Sequence, residues 1–481
     1  MRPPDPRAPM TELVPDPLAD GGIAGFGAEF RALNASAEAV TAAYLARIEV
    51  LDRRLGCFET VMADSALAQA RAMDRLYAAG TDLGPLMGVP VAIKDIVAVD
   101  GAPTTAGSNV AVDDLIGPEG SFVRALKQAG CVILGKTRTP EFANGGGRFA
   151  ISSVRPTPWN PWDAKTQRVP GGSSSGSAVA VAAGLCAFAV GSDTGASVRA
   201  PAALCGVFGL KTTVGLWPLD GVFPLSRSLD TLGILTAIAA DAGVVLGAIH
   251  GSPPLDVASP RGLRLGLPEP SFFFEGLDPR VRSRTDAALD ALRGAGVELV
   301  PVAWPEVPQV AKHMSGVVAA EFMAGMGRER FEAVRKQMDP YVAAGLAAGL
   351  ETRAVDYVNA IRGYHAYSRA AAERMAGVDA FVTPTVAIVA PAVACFEDRD
   401  FYDRHSSIGM RNTRPASFAG LCATSSPVQG PEPGLPVGLQ VIAPGFAEAR
   451  AIAIAGTIEK AVGPPSRPEL GPFVEGAGYR E

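Results

Sequence analysis

The chain has little charge, few aromatic rings, few histidines and no long apolar run. Charged residues make up 19% of its 481 positions and aromatic residues 7%. Lys and Arg number 43 against 49 Asp and Glu, and the basic residues form no dense run. Nucleic-acid binders carry a basic stripe or patch, so the composition argues against that class. The longest apolar stretch, Ala178 to Val190, is 13 residues long and contains Gly184. A membrane-spanning helix needs about 20 residues, so this stretch reads as a buried core segment. The N-terminus lacks the apolar centre of a signal peptide, and residues 1–17 carry six prolines instead. Residues 1–20 are therefore expected to form a mobile extension, and the protein is expected to be cytoplasmic, with no membrane and no nucleic-acid partner.

The six cysteines (Cys57, Cys131, Cys186, Cys205, Cys395 and Cys422) are scattered, and no pair has C-x-x-C spacing. They read as free thiols of a reducing compartment. No histidine (His250, His313, His365, His405) lies within a turn of another histidine or of a cysteine. A zinc site needs such clustering, so no metal is expected.

What is abundant is apolar and turn-forming. Hydrophobic residues reach 48%, enough for a large core and far from a disordered composition. The 54 glycines and 40 prolines make about a fifth of the chain, against roughly 12% in average usage. The glycines have no three-residue period, so the chain is not collagen-like. The balance fits an enzyme with many tight turns better than a helical bundle.

Length alone favours two to four domains. The pattern along the chain favours one. Ser36 is placed to cap a helix through about Leu51, with Val40, Tyr44, Ile48 and Leu51 on one face. A second helix is predicted over 64–77, then a buried strand over 89–93, a helix over 121–128 and a strand over 131–134. Residues 143–176 read as loop. A helix over 177–183 and a strand over 185–190 follow, and strands are predicted at 381–383 and 437–442. The section from about 270 to 375 reads as mostly helical. With no internal repeat and no clear linker, residues 21–481 are read as a single α/β domain with its core motifs in 85–235.

Three segments stand out. Gly88-Val-Pro-Val-Ala-Ile-Lys94-Asp95 ends an apolar strand on a lysine, a residue rarely buried unless paired or functional. Its ordinary reading is a lysine that snorkels to water. Pro170-Gly-Gly-Ser173-Ser174-Ser175-Gly176-Ser177 lets the backbone turn sharply and present small hydroxyls, or is simply a flexible loop. Gly191-Ser-Asp193-Thr194-Gly195-Ala196-Ser197-Val-Arg199 runs from a strand into a small-residue turn. Consecutive backbone N–H groups there can converge on an anion, or the turn is a plain strand-to-helix connection.

Together, Lys94, Ser173 and Ser197, with the two serines 24 positions apart, resemble the amidase signature family. The resemblance extends over most of the chain. It includes 45–51, Gly107-Ser108, Gly135-Lys136-Thr137, Asn160-Pro161-Trp162, Gly209-Leu210-Lys211, Thr383-Pro384-Thr385 and 434–440. It implies a central mixed β-sheet covered by helices on both faces. It implies that Ser197 is the nucleophile, Ser173 the bridging serine after a cis peptide bond from Gly172, and Lys94 the general base and acid. The backbone N–H groups of Thr194, Gly195, Ala196 and Ser197 are the implied oxyanion hole. Ala143, Asn144 and Ser174 are the implied substrate-side residues, while Asp193 and Arg199 brace the loop. No cofactor is implied, and a homodimer is the implied assembly.

The chemistry is coherent. A serine hydroxyl is a weak nucleophile and needs a base. A lysine with its ordinary pKa near 10.4 is charged at neutral pH and accepts no proton. Burial disfavours the ammonium and must lower that value by about 3 units, roughly 4 kcal/mol. Two departures from the family pattern stand out, Ser175 and Ala196, where glycine is usual. Ala196 requires a backbone conformation open to an L-residue.

Three rival readings compete. Gly172-Ser-Ser174-Ser-Gly176 also matches G-x-S-x-G, which would make Ser174 the nucleophile. That elbow must follow a buried strand, and 163–170 is polar and ends on proline. An anion-binding module is disfavoured because the phosphate-loop pattern is absent. Within the family, the alternatives are a carbamate or ester hydrolase, and the glutaminase subunit of a tRNA-dependent amidotransferase, which works with partner subunits. The expected reaction is amide hydrolysis through an acyl-enzyme on an apolar or aromatic small-molecule amide or anilide. Phe142, Phe149, Trp159 and Phe223 motivate that substrate expectation. A preference for small charged amides such as malonamate would contradict it. Arg411 and Arg414 would then bind the carboxylate, although surface salt-bridging is their ordinary role.

Overall fold

The computed structural model describes residues 13–145, 147–251, 256–428 and 434–475, with the backbone alone at Pro270, Lys312, Ser407 and Glu475. Among the described residues, eleven strands form one mixed sheet. They are β1 (Phe58–Val61), β2 (Pro90–Lys94), β3 (Val132–Thr137), β4 (Phe188–Ser192), β5 (Phe208–Lys211), β6 (Leu232–Thr236), β7 (Arg264–Pro268), β8 (Glu298–Val302), β9 (Ala380–Pro384), β10 (Cys422–Pro427) and β11 (Gly438–Ala443). Their order is β1-β3-β2-β4-β6-β5-β10-β11-β9-β7-β8. β2 runs parallel to both neighbours, β3 and β4, and β7 runs parallel to β8 and β9. The remaining pairs are antiparallel.

Side chains alternate between the faces of a strand, so a strand buried at every position is covered on both sides. That holds for β2, β3, β4, β5, β6, β9, β10 and β11. Only the ends of the sheet, β1 and the β7–β8 pair, show exposed positions.

Local signals account for many boundaries. Ser36 Oγ accepts from Ala39 N at 3.1 Å and caps the helix Ala37–Leu55, which stops at Gly56 in the left-handed region. The predicted helix over 121–128 is present with those limits. The strand predicted over 185–190 is displaced to Phe188–Ser192, because Gly184 turns the chain with φ +60° and delays its entry into the sheet. The 270–375 section is mostly helical but also holds β8, a half-exposed edge strand that admits Pro301.

Residues 13–20 depart from the expected mobile extension. Leu18 is buried, and Asp16 receives hydrogen bonds from Tyr44 and Arg467. Residues 1–12 of that expectation lie outside the described residues. Among those described, no helix is long and apolar enough to cross a membrane, and no cluster of three or more His, Cys, Asp or Glu is arranged to hold a metal.

Candidate active site

Lys94 ends β2 with no exposed surface. Its Nζ donates to Ser173 Oγ at 2.7 Å and Ser192 Oγ at 2.8 Å. Burial drives its pKa down to about 7, against the opposing pull of Asp193 and Asp230. The neighbouring strand end provides a contrast. Lys136 on β3 is equally buried, but its Nζ sits 2.9 Å from Asp95 Oδ1 and keeps a counter-ion. Lys211, a third buried lysine, donates to the carbonyls of Thr212 and Leu421. Of the three, Lys94 is the one whose partners are hydroxyls alone. Ser192 did not stand out in the sequence, although its place at the end of the strand beside β2 was the available signal.

The turn after β4 presents its backbone to open space. Among the described residues, the N–H groups of Thr194, Gly195, Ala196 and Ser197 have no internal acceptor. The flanking N–H groups are bonded, Asp193 to Thr231 O at 2.8 Å and Val198 to Asp193 Oδ2 at 3.1 Å. Four consecutive free donors between two fixed ones can receive an anion. Asp193 and Arg199 hold this turn from behind through Nη2–Oδ1 and Nε–Oδ2 contacts of 2.9 and 3.0 Å. Arg199 then reaches Thr413 O, Gln440 Oε1 and Ser417 Oγ, each at 2.7 Å. Burial acts to raise the Asp193 carboxyl, but Arg199 and the hydrogen bonds outweigh it and hold it below the usual carboxylate range.

Asp230 is a second brace, one that sequence reasoning missed. Its Oδ1 accepts from Thr194 Oγ1 at 2.5 Å, and its Oδ2 accepts from the backbone of Leu225 and Ser226. Burial pushes its pKa up to about 6 against those hydrogen bonds. Ala196 is buried and keeps a negative φ, so its methyl group is accommodated. A Cβ at Gly195 would lie 2.9 Å from Met314 Cε, the far end of a flexible side chain.

The Gly172–Ser173 peptide bond is cis. Ser173 and Ser197 both line the main cavity, and no hydrogen bond joins them here. Ser174 does not face that cavity, contrary to its expected substrate-side place. It is fully buried, its Oγ donates to Ser192 O and accepts from Ser192 N, and its own N–H donates to Ser197 O at 3.0 Å. It ties the two serine segments together. Among the described residues no strand leads directly into it, since β3 ends at Thr137, so the nucleophile-elbow reading lacks its context. Ser175 Oγ donates to Arg138 O at 3.2 Å.

The cavity has a volume of about 510 Å³, within the range of small-molecule sites. One wall is the serine segments together with Ala143 and Asn144. The other comes from three helices, with Met314 and Val318 on Val310–Met326, Tyr341 and Leu346 on Pro340–Ala347, and Tyr402 and Met410 on Arg399–Arg411. Of the four aromatics expected in the pocket, only Phe149 lines it. Phe142 has φ +54°, which turns its ring into the core against Phe223, with centroids 5.2 Å apart. Trp159 packs against Phe473 and under Arg54. Tyr341 and Tyr402 supply the aromatic surface instead. Arg411 and Arg414 form no salt bridge among the described residues. Arg411 donates to Asn412 Oδ1 and Glu275 O, and Arg414 lines the cavity.

Comparison with known proteins identifies the family. The family model described as Amidase matches residues 39–452. The chain is 36% identical to 2-amino-5-chloromuconic acid deaminase of Comamonas testosteroni, over 86% of this chain and 90% of that protein. It is 37% identical to a glutamyl-tRNA(Gln) amidotransferase subunit of Nitratidesulfovibrio vulgaris, over 88% and 93%. The solved peptide amidase of Stenotrophomonas maltophilia superposes with a TM-score of 0.79 at 31% identity, covering 95% of this chain and 99% of that one. The chain belongs to the amidase family and is a hydrolase of carbon–nitrogen amide bonds.

Proposed function

We propose that the protein hydrolyses a small-molecule amide with an apolar or aromatic body through an acyl-enzyme on Ser197. The observation that carries this reading is Lys94, a buried amine with a pKa near 7, no carboxylate contact and a 2.7 Å hydrogen bond to Ser173. Neutral Lys94 takes the proton of Ser197 Oγ by way of Ser173 Oγ as Ser197 bonds to the carbonyl carbon. The carbonyl oxygen becomes an oxyanion held by the free N–H groups of 194–197. The C–N bond then breaks, and the same relay returns the proton to the leaving nitrogen. Water repeats the cycle on the acyl group and releases the acid. The apolar side chains of the helical wall support the substrate body assigned here.

Carbamates and esters share the acyl-carbon chemistry, so the triad serves all three and the pocket walls choose among them. The similarity to an amidotransferase subunit raises glutamine as a rival substrate. Glutamine carries an α-ammonium, and no Asp or Glu is among the described residues lining the cavity to receive it. The test is a hydrolysis panel of anilides, aliphatic amides, carbamates, esters and glutamine, with Ser197→Ala as the blank. Turnover of apolar amides that Ser197→Ala abolishes is expected. Turnover of glutamine alone, or activity retained in Ser197→Ala, overturns the reading.

A further inference from the structure

Arg414 has no partner among the described residues that explains its position. It opens the short helix Arg414–Phe418, and its side chain passes the oxyanion turn, where a Cβ placed on Gly195 would lie 4.0 Å from Arg414 Cγ. Its guanidinium makes no hydrogen bond, ion pair or ring contact to another described residue. It is partly buried, and that burial lowers its pKa with no charged group acting beside it. The contrast with Arg199 is direct, since that fully buried guanidinium spends its donors on Asp193, Thr413, Gln440 and Ser417. A partly buried guanidinium that lines a cavity and has no acceptor among the described residues keeps its donors available to a ligand.

The surroundings favour an anion. Arg414 stands in the wall shared by the main cavity and a second cavity of about 360 Å³. The second cavity also presents Arg404 and Arg411. Arg399 lies at the main cavity, and Asp403 already neutralises it. Neither cavity has an Asp or Glu among its described lining residues.

We propose that the substrate carries a carboxylate, remote from the scissile amide, that seats on Arg414. The planar guanidinium fork matches a carboxylate with two parallel hydrogen bonds. The substrate would then be an amide with an apolar body and one anionic end. A volume of about 510 Å³ favours a chain longer than the smallest diacid monoamides. This inference rests on the hydrolase reading above and keeps its apolar body, but it replaces the uncharged substrate expected from the sequence with one that carries an anionic end.

The test compares monoamides of linear dicarboxylic acids, from succinamate to adipamate, with uncharged amides of the same chain lengths. Wild type is expected to favour the carboxylated member by about 30-fold in kcat/KM at the best length. Arg414→Gln brings that ratio to within about threefold, mainly through KM, and Arg414→Lys keeps part of it. Arg399→Gln leaves the ratio in place. A binding arm needs no turnover. The free dicarboxylates raise the melting temperature of Ser197→Ala with a chain-length optimum, and the Ser197→Ala/Arg414→Gln double variant loses that shift. A preference that survives Arg414→Gln, equal rates on both series without a dicarboxylate shift, or an equal shift by acetate overturns the inference. Hydrolysis of the uncharged series that Ser197→Ala abolishes would leave the hydrolase reading standing in each of those cases.

Discussion

The two walls of the cavity are built on opposite plans. On the serine wall the polar groups are buried and tied together. Lys94 meets two hydroxyls, Ser174 links to both Ser192 and Ser197, and Arg199 spreads over four partners. The wall is mounted on the ends of β2 and β4, adjacent interior strands of the sheet. The helical wall presents apolar and aromatic side chains from three separate helices. Its fixed points lie behind the surface. Asp339, for example, caps the helix Pro340–Ala347 through Tyr341 N and also accepts from Arg148 and Ser153. One wall determines which bond chemistry is possible, and the other determines which molecule fits.

The sharpest way to break this division is to remove the base. Lys94→Met conserves volume, and the two hydroxyls left behind can turn to other acceptors. We expect kcat to fall by at least about 10³-fold while the melting temperature moves by only a few degrees. Lys136→Met, one strand away, is expected to do the reverse. It leaves Asp95 buried without its counter-ion, a loss of about 3–5 kcal/mol in stability. Thermal melts and initial rates on the two variants decide the matter. Equal catalytic losses would mean that Lys94 is structural.

Asp230→Asn probes the support behind the same wall, with a smaller effect. The carboxylate holds Thr194 Oγ1 at 2.5 Å, and its charge acts to raise the Lys94 pKa. Wild-type kcat/KM should rise with pH through about 7, because Lys94 must be neutral to accept a proton. Removing a nearby negative charge disfavours the ammonium, so this limb should move to lower pH in Asp230→Asn. A looser oxyanion turn should also cost about tenfold in kcat, less than outright loss of a donor. An unchanged limb in the pH–rate profile would show that Asp230 is only a scaffold residue.

The serine wall was legible in the sequence, and the helical wall was not. Lys94, Ser173 and the 193–199 turn are local patterns, in which small residues and glycines sit where the backbone itself must act. Asp230 lies in Ser-Leu-Asp-Thr, a stretch indistinguishable from a surface loop until the fold buries it. β10 was invisible for a similar reason. Cys-Ala-Thr-Ser-Ser-Pro has no apolar run, and its burial is settled by contacts such as Thr385 Oγ1 to Ser425 Oγ at 2.8 Å. The pocket aromatics were misassigned because their direction depends on backbone dihedrals and helix docking. A positive φ at Phe142 sends one ring inward, while Tyr341 and Tyr402, far beyond Phe223 in the chain, arrive on helices with ordinary patterns.

The smallest effect should come from the helical wall and fall on choice of substrate. Tyr341 is half-buried, with the Tyr402 ring 5.1 Å away and the Arg148 guanidinium 3.9 Å from its own ring centre. Arg148 keeps its contacts to Asp339 when the ring is removed, so the helix cap survives. Tyr341→Ala therefore removes contact surface from the substrate body and leaves the relay and the oxyanion turn alone. A pocket contact of this kind is worth about 1–3 kcal/mol between substrates that do and do not use it. Bulky apolar amides should lose about tenfold more kcat/KM than propionamide does, and the acid limb should stay where it is in wild type. Equal losses on both substrates, or a displaced limb, would place Tyr341 with the chemistry and undo the separation of the two walls.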